Sequence, residues 1–220
     1  MLHVRGLSKS FGQADGDPVP VLADVDLTVQ PGEKASLIGL SGSGKSTLLS
    51  LVAGLLNPDH GSVSVDGVTL GDLSEPARAR LRAERIGIAL QADNLIPFLS
   101  ARENVELALA FGSRRSRHDA KARALELLGA FGVEHRADHR PRRLSGGEAQ
   151  RVALAVAVAN DPDLVLADEV VAQLDGQTAG HVIDTVLEAD YALLYVTHDR
   201  GLADRVDARY ELADHRVRRR

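Results

Sequence analysis

A chain of 220 residues, 44% hydrophobic and 26% charged, has the balance of a folded globular protein. It is long enough to bury roughly 70% of its unfolded surface, as one large domain or a domain carrying a subdomain. Its net charge of −5 offers no footprint for nucleic acid, and with no Cys it has neither a disulfide framework nor a thiolate metal site.

Residues 1–12 lack an apolar core of the signal-peptide kind, so nothing marks the chain for secretion. The longest unbroken apolar run, residues 152–159, is far short of the ~20 residues that span a bilayer. Membrane work is therefore expected of another chain. Residues 2–7 and 25–29 alternate apolar and polar positions, which predicts half-buried strands, with a turn-rich loop over 15–20 between them. Pro31-Gly32-Glu33 reads as a turn.

The apolar residues 35–38 predict a strand entering Gly39-Leu-Ser-Gly-Ser-Gly-Lys-Ser-Thr47, and residues 48–53 read as helix. The stretch fits G-x-x-x-x-G-K-[ST] in a strand, loop, helix setting. Backbone N–H groups turning inward in such a loop, with the positive end of the next helix, cradle phosphate oxygens, and a Cβ would obstruct their approach. Lys45 is expected to reach β and γ phosphates and the Ser46 hydroxyl to ligate Mg²⁺. Gly39, Ser41, Gly42, Ser43, Gly44 and Thr47 complete the expected nucleotide-binding set. The plain alternative is an accidental Gly/Ser turn, which the scarcity of Lys makes a rare coincidence.

Beyond the helix, Asn57-Pro58-Asp59-His60-Gly61 breaks the chain, and residues 62–65 and 68–70 flank Asp66-Gly67, a hairpin signal. Residues 75–84 predict a helix with Pro76 in its first turn, and residues 86–90 a buried strand ending at Gln91. Residues 92–143 carry no β signal and read as an inserted helical subdomain. There Ser100 and Glu103 have capping-box spacing, and Ser116 is a candidate cap for a helix placing Leu125, Leu127, Leu128 and Phe131 on about one face.

Ser145-Gly146-Gly147 opens a helix to about residue 159. Apolar residues 164–167 predict a strand covered on both faces, ending at Asp168-Glu169. Residues 178–189 read as helix, and residues 192–196 as a strand ending at Thr197-His198-Asp199. Arg218-Arg219-Arg220 reads as a frayed, solvated end. This alternation predicts a mostly parallel sheet with polar residues at strand C-terminal ends.

In-line attack on a γ phosphate needs charge neutralisation and a positioned water. One carboxylate of the pair Asp168-Glu169 could hold Mg²⁺ and the other orient or deprotonate that water; a solvated carboxylate pair is the plain alternative. Residues 144–151, Leu-Ser-Gly-Gly-Glu-Ala-Gln-Arg, offer a hydroxyl, backbone N–H groups and a helix N-terminus, a second anion site that by itself could be only a helix cap.

In this order, residues 39–46, Gln91, residues 144–151, Asp168-Glu169, Leu174-Asp175 and His198 resemble the nucleotide-binding subunit of ABC transporters, over residues 2 to about 213. The Leu-Ser-Gly-Gly turn separates that family from other phosphate-loop ATPases. Asn94-Leu95-Ile96-Pro97 through Glu103-Asn104-Val105 resembles the branch of lipoprotein-release, macrolide-efflux and cell-division ATPases. The resemblance implies one α/β ABC ATPase domain over residues 1–220. Within it, a phosphate-loop (RecA-like) core with a mostly parallel sheet takes residues 34–60, 72–91 and 144–220. An antiparallel β subdomain takes 1–33 and 61–71, and a helical subdomain 92–143.

It further implies a homodimer enclosing two ATP, with Ser145, Gly146 and Gly147 of each copy facing the phosphate loop of the other. Glu169, His198 and Gln91 would be catalytic, and Ser46, Gln91 and Asp168 would hold Mg²⁺. Phe11 would stack on adenine, and Asp175 would lie in the loop facing the partner copy. The implied activity is ATP hydrolysis driving a separate integral-membrane permease of efflux or lipoprotein-release type, docked near residues 95–99. The chain would then be cytoplasmic, peripheral on the inner face of the cell membrane, with no nucleic-acid partner. The alternative is an ATP-gated regulator of a membrane partner without transport, as in cell-division relatives; the DNA-repair and translation ATPases need a longer chain.

Two departures stand out. Val170-Val171-Ala172-Gln173 replaces the usual Pro-Thr-Ser or Pro-Thr-Gly, and Val156 stands where Arg is usual. Both bear on hydrolysis rate and on communication between sites, and leave ATP binding untouched.

Overall fold

A computed structural model describes residues 1–13, 16–90, 95–112, 117–168, 176–197 and 200–220. In chain order the elements are β1 (Leu2–Gln13), β2 (Gly16–Val29), β3 (Lys34–Gly39), α1 (Lys45–Val52), β4 (His60–Val65), β5 (Val68–Thr69), α2 (Glu75–Arg85) and β6 (Ile86–Leu90). There follow α3 (Ala101–Gly112), α4 (Arg117–Ala130), α5 (Gly146–Ala157), β7 (Leu164–Asp168), α6 (Gly176–Glu188), β8 (Ala192–Val196), α7 (Arg200–Ala203), β9 (Ala208–Ala213) and β10 (Arg216–Arg219). The chain divides into two compact units, Met1–Ala79 with Ala192–Arg220, and Arg80–Tyr191.

The first unit contains an antiparallel sheet in the order β2-β1-β4-β5. Leu2, Val4 and Leu7 on β1 and Val25, Leu27 and Val29 on β2 are buried, the alternation expected of a sheet with one covered face. The turn-rich loop expected over 15–20 is corrected for its described part: residues 16–20 extend β2, with Val19 opposite Phe11 and Pro20 opposite Ser10. Pro18 and Pro20 are accommodated because β2 is an edge strand, where a missing N–H need not break a ladder. The β4–β5 hairpin turns at Asp66-Gly67 as predicted, with φ of 49° and 78°, the paired positive values of a type I′ turn.

The same unit holds the strands β10-β9-β3-β8, in which β3 runs parallel to both β8 and β9. Ala35, Leu37, Leu193, Leu194 and Val196 are buried, so these short strands are apolar almost throughout. The frayed end expected at 218–220 is corrected. Arg218 and Arg219 belong to β10, antiparallel to β9, and the Arg220 amide donates to the Arg209 carbonyl at 2.8 Å. Arg219 ion-pairs with Glu33 at 3.4 Å, and the Arg220 Nε donates to Glu211 at 2.6 Å. Their charge suggested solvation, yet an edge strand keeps its side chains in water while its backbone is paired.

In the second unit β6 and β7 run parallel, from Ile86 opposite Leu164 to Leu90 opposite Asp168. Gly87 lets α5 approach closely: a Cβ there would stand 2.3 Å from the Ala157 carbonyl oxygen. The Ser100–Glu103 capping box forms, with the Ser100 amide donating to Glu103 Oε2 at 2.7 Å and the Glu103 amide to Ser100 Oγ at 3.2 Å. Ser116 lies outside the described residues. Leu127, Leu128 and Phe131 are buried and Leu125 half-buried. Asn160 Nδ2 donates to the carbonyls of Ala83 at 3.1 Å and Ala108 at 2.8 Å, tying the chain after α5 to α2 and α3.

Candidate functional site

The loop between β3 and α1 is shaped by its glycines. Gly44 has φ +105°, and a Cβ on it would stand 2.8 Å from Val21 Cγ1, because β2 packs against the loop. Gly42 has φ +76° with open space where its Cβ would be, leaving the concave side clear. Gly44 caps α1 without a side chain, and no acidic residue occupies the first turn. The helix therefore keeps its positive end, with no side-chain cap from Gly44 turned onto it, the kind of start that binds anions.

Lys45 is 7% exposed, and its Nζ donates to the carbonyls of Gly39 and Leu40, both at 2.9 Å. Among the described residues this ammonium is satisfied by the carbonyls of its own loop, which it can exchange for phosphate oxygens at little cost in desolvation. Ser43 Oγ is buried without a hydrogen-bond partner. An orphaned hydroxyl beside an uncapped helix start fits a phosphate as the missing acceptor. Ser41, Gly42 and Ser46 are exposed along the same loop. Phe11, 42% exposed on β1, lies in the hairpin whose β2 residues Val21 and Leu22 back Gly44.

In the second unit Ser145 caps α5. Its hydroxyl accepts from the Glu148 amide at 3.2 Å, and its own amide donates to Glu148 Oε2 at 2.8 Å. Arg136 Nε donates to Glu148 Oε1 at 2.7 Å. The Ser145 amide first, then the Arg136 guanidinium, hold the Glu148 carboxyl down at about 2. Ser145 and Gly146 are exposed, so the turn presents a hydroxyl and the amides of a fresh helix while Glu148 braces it from beneath. Arg151 supports it too, its Nε donating to the Gly147 carbonyl at 3.3 Å while Nη1 donates to the Gly132 carbonyl at 3.2 Å. Asp168 closes β7 at 7% exposure. Gln91, Glu169, Asp175 and His198 lie outside the described residues.

The loop between β3 and α1 in the first unit, and separately the turn that opens α5 in the second, are each built from a contiguous Gly-rich stretch. The family described as ABC transporter matches residues 22–172, a span holding both. The chain belongs to the ABC transporter family. Two of its relatives are lipoprotein-releasing system ATP-binding proteins LolD 1. That of Rhodopirellula baltica is 44% identical over 100% of this chain and 97% of its own length; that of Caulobacter vibrioides is 41% identical over 99% and 94%. The ABC cassette MJ0796, solved as a dimer, superposes at TM-score 0.95 with 36% identity, over 100% of this chain and 98% of that one. A second dimeric structure of it, a post-hydrolysis state bound to ADP and Pi, gives 0.94 at 35% over the same shares. This family member accordingly has the α/β fold of the ABC cassettes, that of a phosphate-loop NTPase.

Sequence reasoning missed the residues that brace these motifs. Val21 and Leu22 meet Gly44 from another strand, and no local spacing points to them. Arg136 was hidden in a basic stretch, although Glu148 three residues after Ser145 carried the capping-box signal.

Proposed function

We propose that this chain is the ATP-hydrolysing subunit of a lipoprotein-release type ABC transporter. It closes as a homodimer around two ATP and reopens after hydrolysis, driving a separate integral-membrane permease from the inner face of the cell membrane. The observation that carries this is the cradle itself: a buried Lys45 ammonium, two left-handed glycines and an uncapped, acid-free helix start at one loop. Family membership and the LolD relatives support the transport reading. The dimeric structures of MJ0796, one of them a post-hydrolysis state bound to ADP and Pi, support dimerisation and hydrolysis. The division into a β subdomain, a core and a helical subdomain over 92–143 belongs to the same reading.

In this mechanism the loop amides and Lys45 grip the β and γ phosphates, and Gly39, Ser41, Gly42, Ser43 and Thr47 shape the grip. Glu169 orients and deprotonates the attacking water, His198 holds the γ phosphate against it, and Gln91 reports occupancy to the helical subdomain. Ser145, Gly146 and Gly147 of the second copy close over the triphosphate, where donors aimed at developing charge matter most. Phe11 stacks on adenine, and Asp175 faces the partner copy.

Ser46, Asp168 and Gln91 would hold Mg²⁺. Among the described residues no group of three His, Cys, Asp or Glu side chains forms, and Mg²⁺ bound through phosphates, water and a few protein oxygens asks for none. When bound it neutralises charge on the phosphates. No described helix is long and apolar enough to cross a membrane, in keeping with a separate permease. Phe98, 69% exposed in the 95–99 segment, is the apolar side chain on which the permease would seat.

The test is ATP turnover by Lys45→Ala, Ser145→Ala and the double variant. A loss of about a hundredfold or more is expected, the range found when a preorganised charge-stabilising donor is removed. Turnover left intact in the double variant overturns the reading.

A further inference from the structure

Outside the phosphate loop, charge and aromatic surface of the first unit meet around Phe11. Lys9 Nζ lies 5.6 Å from the centroid of the Phe11 ring, within the range of a cation–π contact. The ammonium is itself anchored: Lys9 Nζ donates to Asp59 Oδ1 at 2.8 Å. The other carboxylate oxygen, Asp59 Oδ2, accepts from the Ser10 amide at 2.7 Å. Asp59 is fixed in turn, its own amide donating to the Ser8 carbonyl at 2.9 Å in the turn that leads into β4. Lys9 first, then the Ser10 amide, hold the Asp59 carboxyl below its ordinary range, so it stays an anion at neutral pH.

This cluster is joined to the phosphate cradle by backbone. Lys9 pairs with Leu22 and Ser10 with Pro20, so Val21 is the extra residue of a bulge in β2. Val21 and Leu22 are the residues that meet Gly44 of the loop. The strand carrying Lys9 and Phe11 is therefore held in register with the loop, and Phe11 lies two residues, roughly 7 Å, beyond the position of Lys9.

We propose that Lys9 and Asp59 are positioning residues for base recognition: Asp59 holds the Lys9 ammonium against one face of Phe11, fixing the ring so that its other face receives the purine of the bound nucleotide. This rests on the reading of Phe11 as the adenine-stacking residue. Phe11 is 42% exposed, so one ring face can be covered by Lys9 while surface remains for a second flat partner. A ring free to turn would have to be ordered at the moment of binding, and pre-ordering removes that cost. The ligand class is a purine nucleoside triphosphate, and the contribution is confined to the base.

The experiment compares ATP with inorganic tripolyphosphate, which fills the cradle and has no base. Equilibrium binding of each is measured for the full chain and for Lys9→Met, Asp59→Asn, Phe11→Ala and Lys9→Met/Phe11→Ala. Lys9→Met keeps the apolar stem, and Asp59→Asn keeps an acceptor for the Ser10 amide, so neither strand pairing is removed. Each is expected to weaken ATP roughly two- to fivefold, the range of an exposed cation–π contact, and to leave tripolyphosphate unchanged. In the Phe11→Ala background Lys9→Met should cost nothing further, and in the otherwise unchanged chain Lys9→Arg, which keeps the cation, should bind ATP as the wild type does.

If Lys9→Met weakens both ligands alike, or costs as much without Phe11 as with it, Lys9 acts on the strand rather than on base recognition and the proposal is overturned. If Phe11→Ala weakens ATP selectively while Lys9→Met and Asp59→Asn do not, the proposal falls and Phe11 keeps its role. If Phe11→Ala leaves ATP binding unchanged, the adenine reading falls and the proposal with it.

Discussion

At Gly44 two independent constraints meet. Its φ of +105° disfavours any residue with a Cβ, and a Cβ there would stand 2.8 Å from Val21 Cγ1. Gly44→Ala is expected to lower unfolding stability by about 1–3 kcal/mol and to weaken ATP more than tenfold, because relief requires the loop or β2 to move. Thermal melting and ATP titration check both arms. Glu148 shows a different economy, since its carboxylate holds the Ser145 amide and Arg136 together. Its folded pKa, about 2, lies below the 4.5 of a free Glu, so its stabilisation is complete above pH ~4.5 and is lost as pH falls toward 2. The gap in stability between wild type and Glu148→Ala, read by urea unfolding, should be constant above pH ~5 and close below it. A gap that widened on acidification would contradict this assignment.

Among the elements, the segment leading into α3 is braced by Asn104 as well as by the Ser100–Glu103 capping box. Asn104 is 5% exposed; its Nδ2 donates to the carbonyls of Ile96, Leu99 and Ser100 and its Oδ1 accepts from the Ile96 amide at 2.7 Å. Phe98 is thereby presented outward on a braced turn rather than on a loose one. Asn104→Ala leaves those groups without their partner, and an unpaired buried polar group costs roughly 1–3 kcal/mol. Hydrogen exchange at Ile96 is expected to accelerate in this variant by about tenfold or more while the amides of β3 keep their protection. If the permease docks here, complex formation should weaken in the same variant.

For the whole molecule, the starts of α1 and α5 belong to different compact units. In the proposed function the nucleotide site is completed by a second copy, in a dimer sealed by nucleotide. Glu169→Gln, which would bind without hydrolysing, is expected to accumulate as a dimer in ATP and Mg²⁺ and to remain monomeric without them, as read by sedimentation velocity. A monomer at saturating ATP would dismiss the sandwich.

Local patterns determined much of this protein by themselves. The phosphate loop, the capping box at Ser100, the helix start at Ser145, the Asp66-Gly67 turn and the apolar strands β3, β7 and β8 were legible because each is written in contiguous residues whose backbone preferences are intrinsic. The order of the motifs was enough to name the family. Tertiary structure alone decided that residues 16–20 pair as an edge strand and that the terminal arginines belong to β10, since their composition speaks for solvent and only a neighbouring strand supplies partners for their amides. It alone also set Val21 against Gly44, Arg136 under Glu148, and Asp59 behind Lys9 and Phe11. These contacts join residues of different elements, and no periodicity records which surfaces folding will bring together.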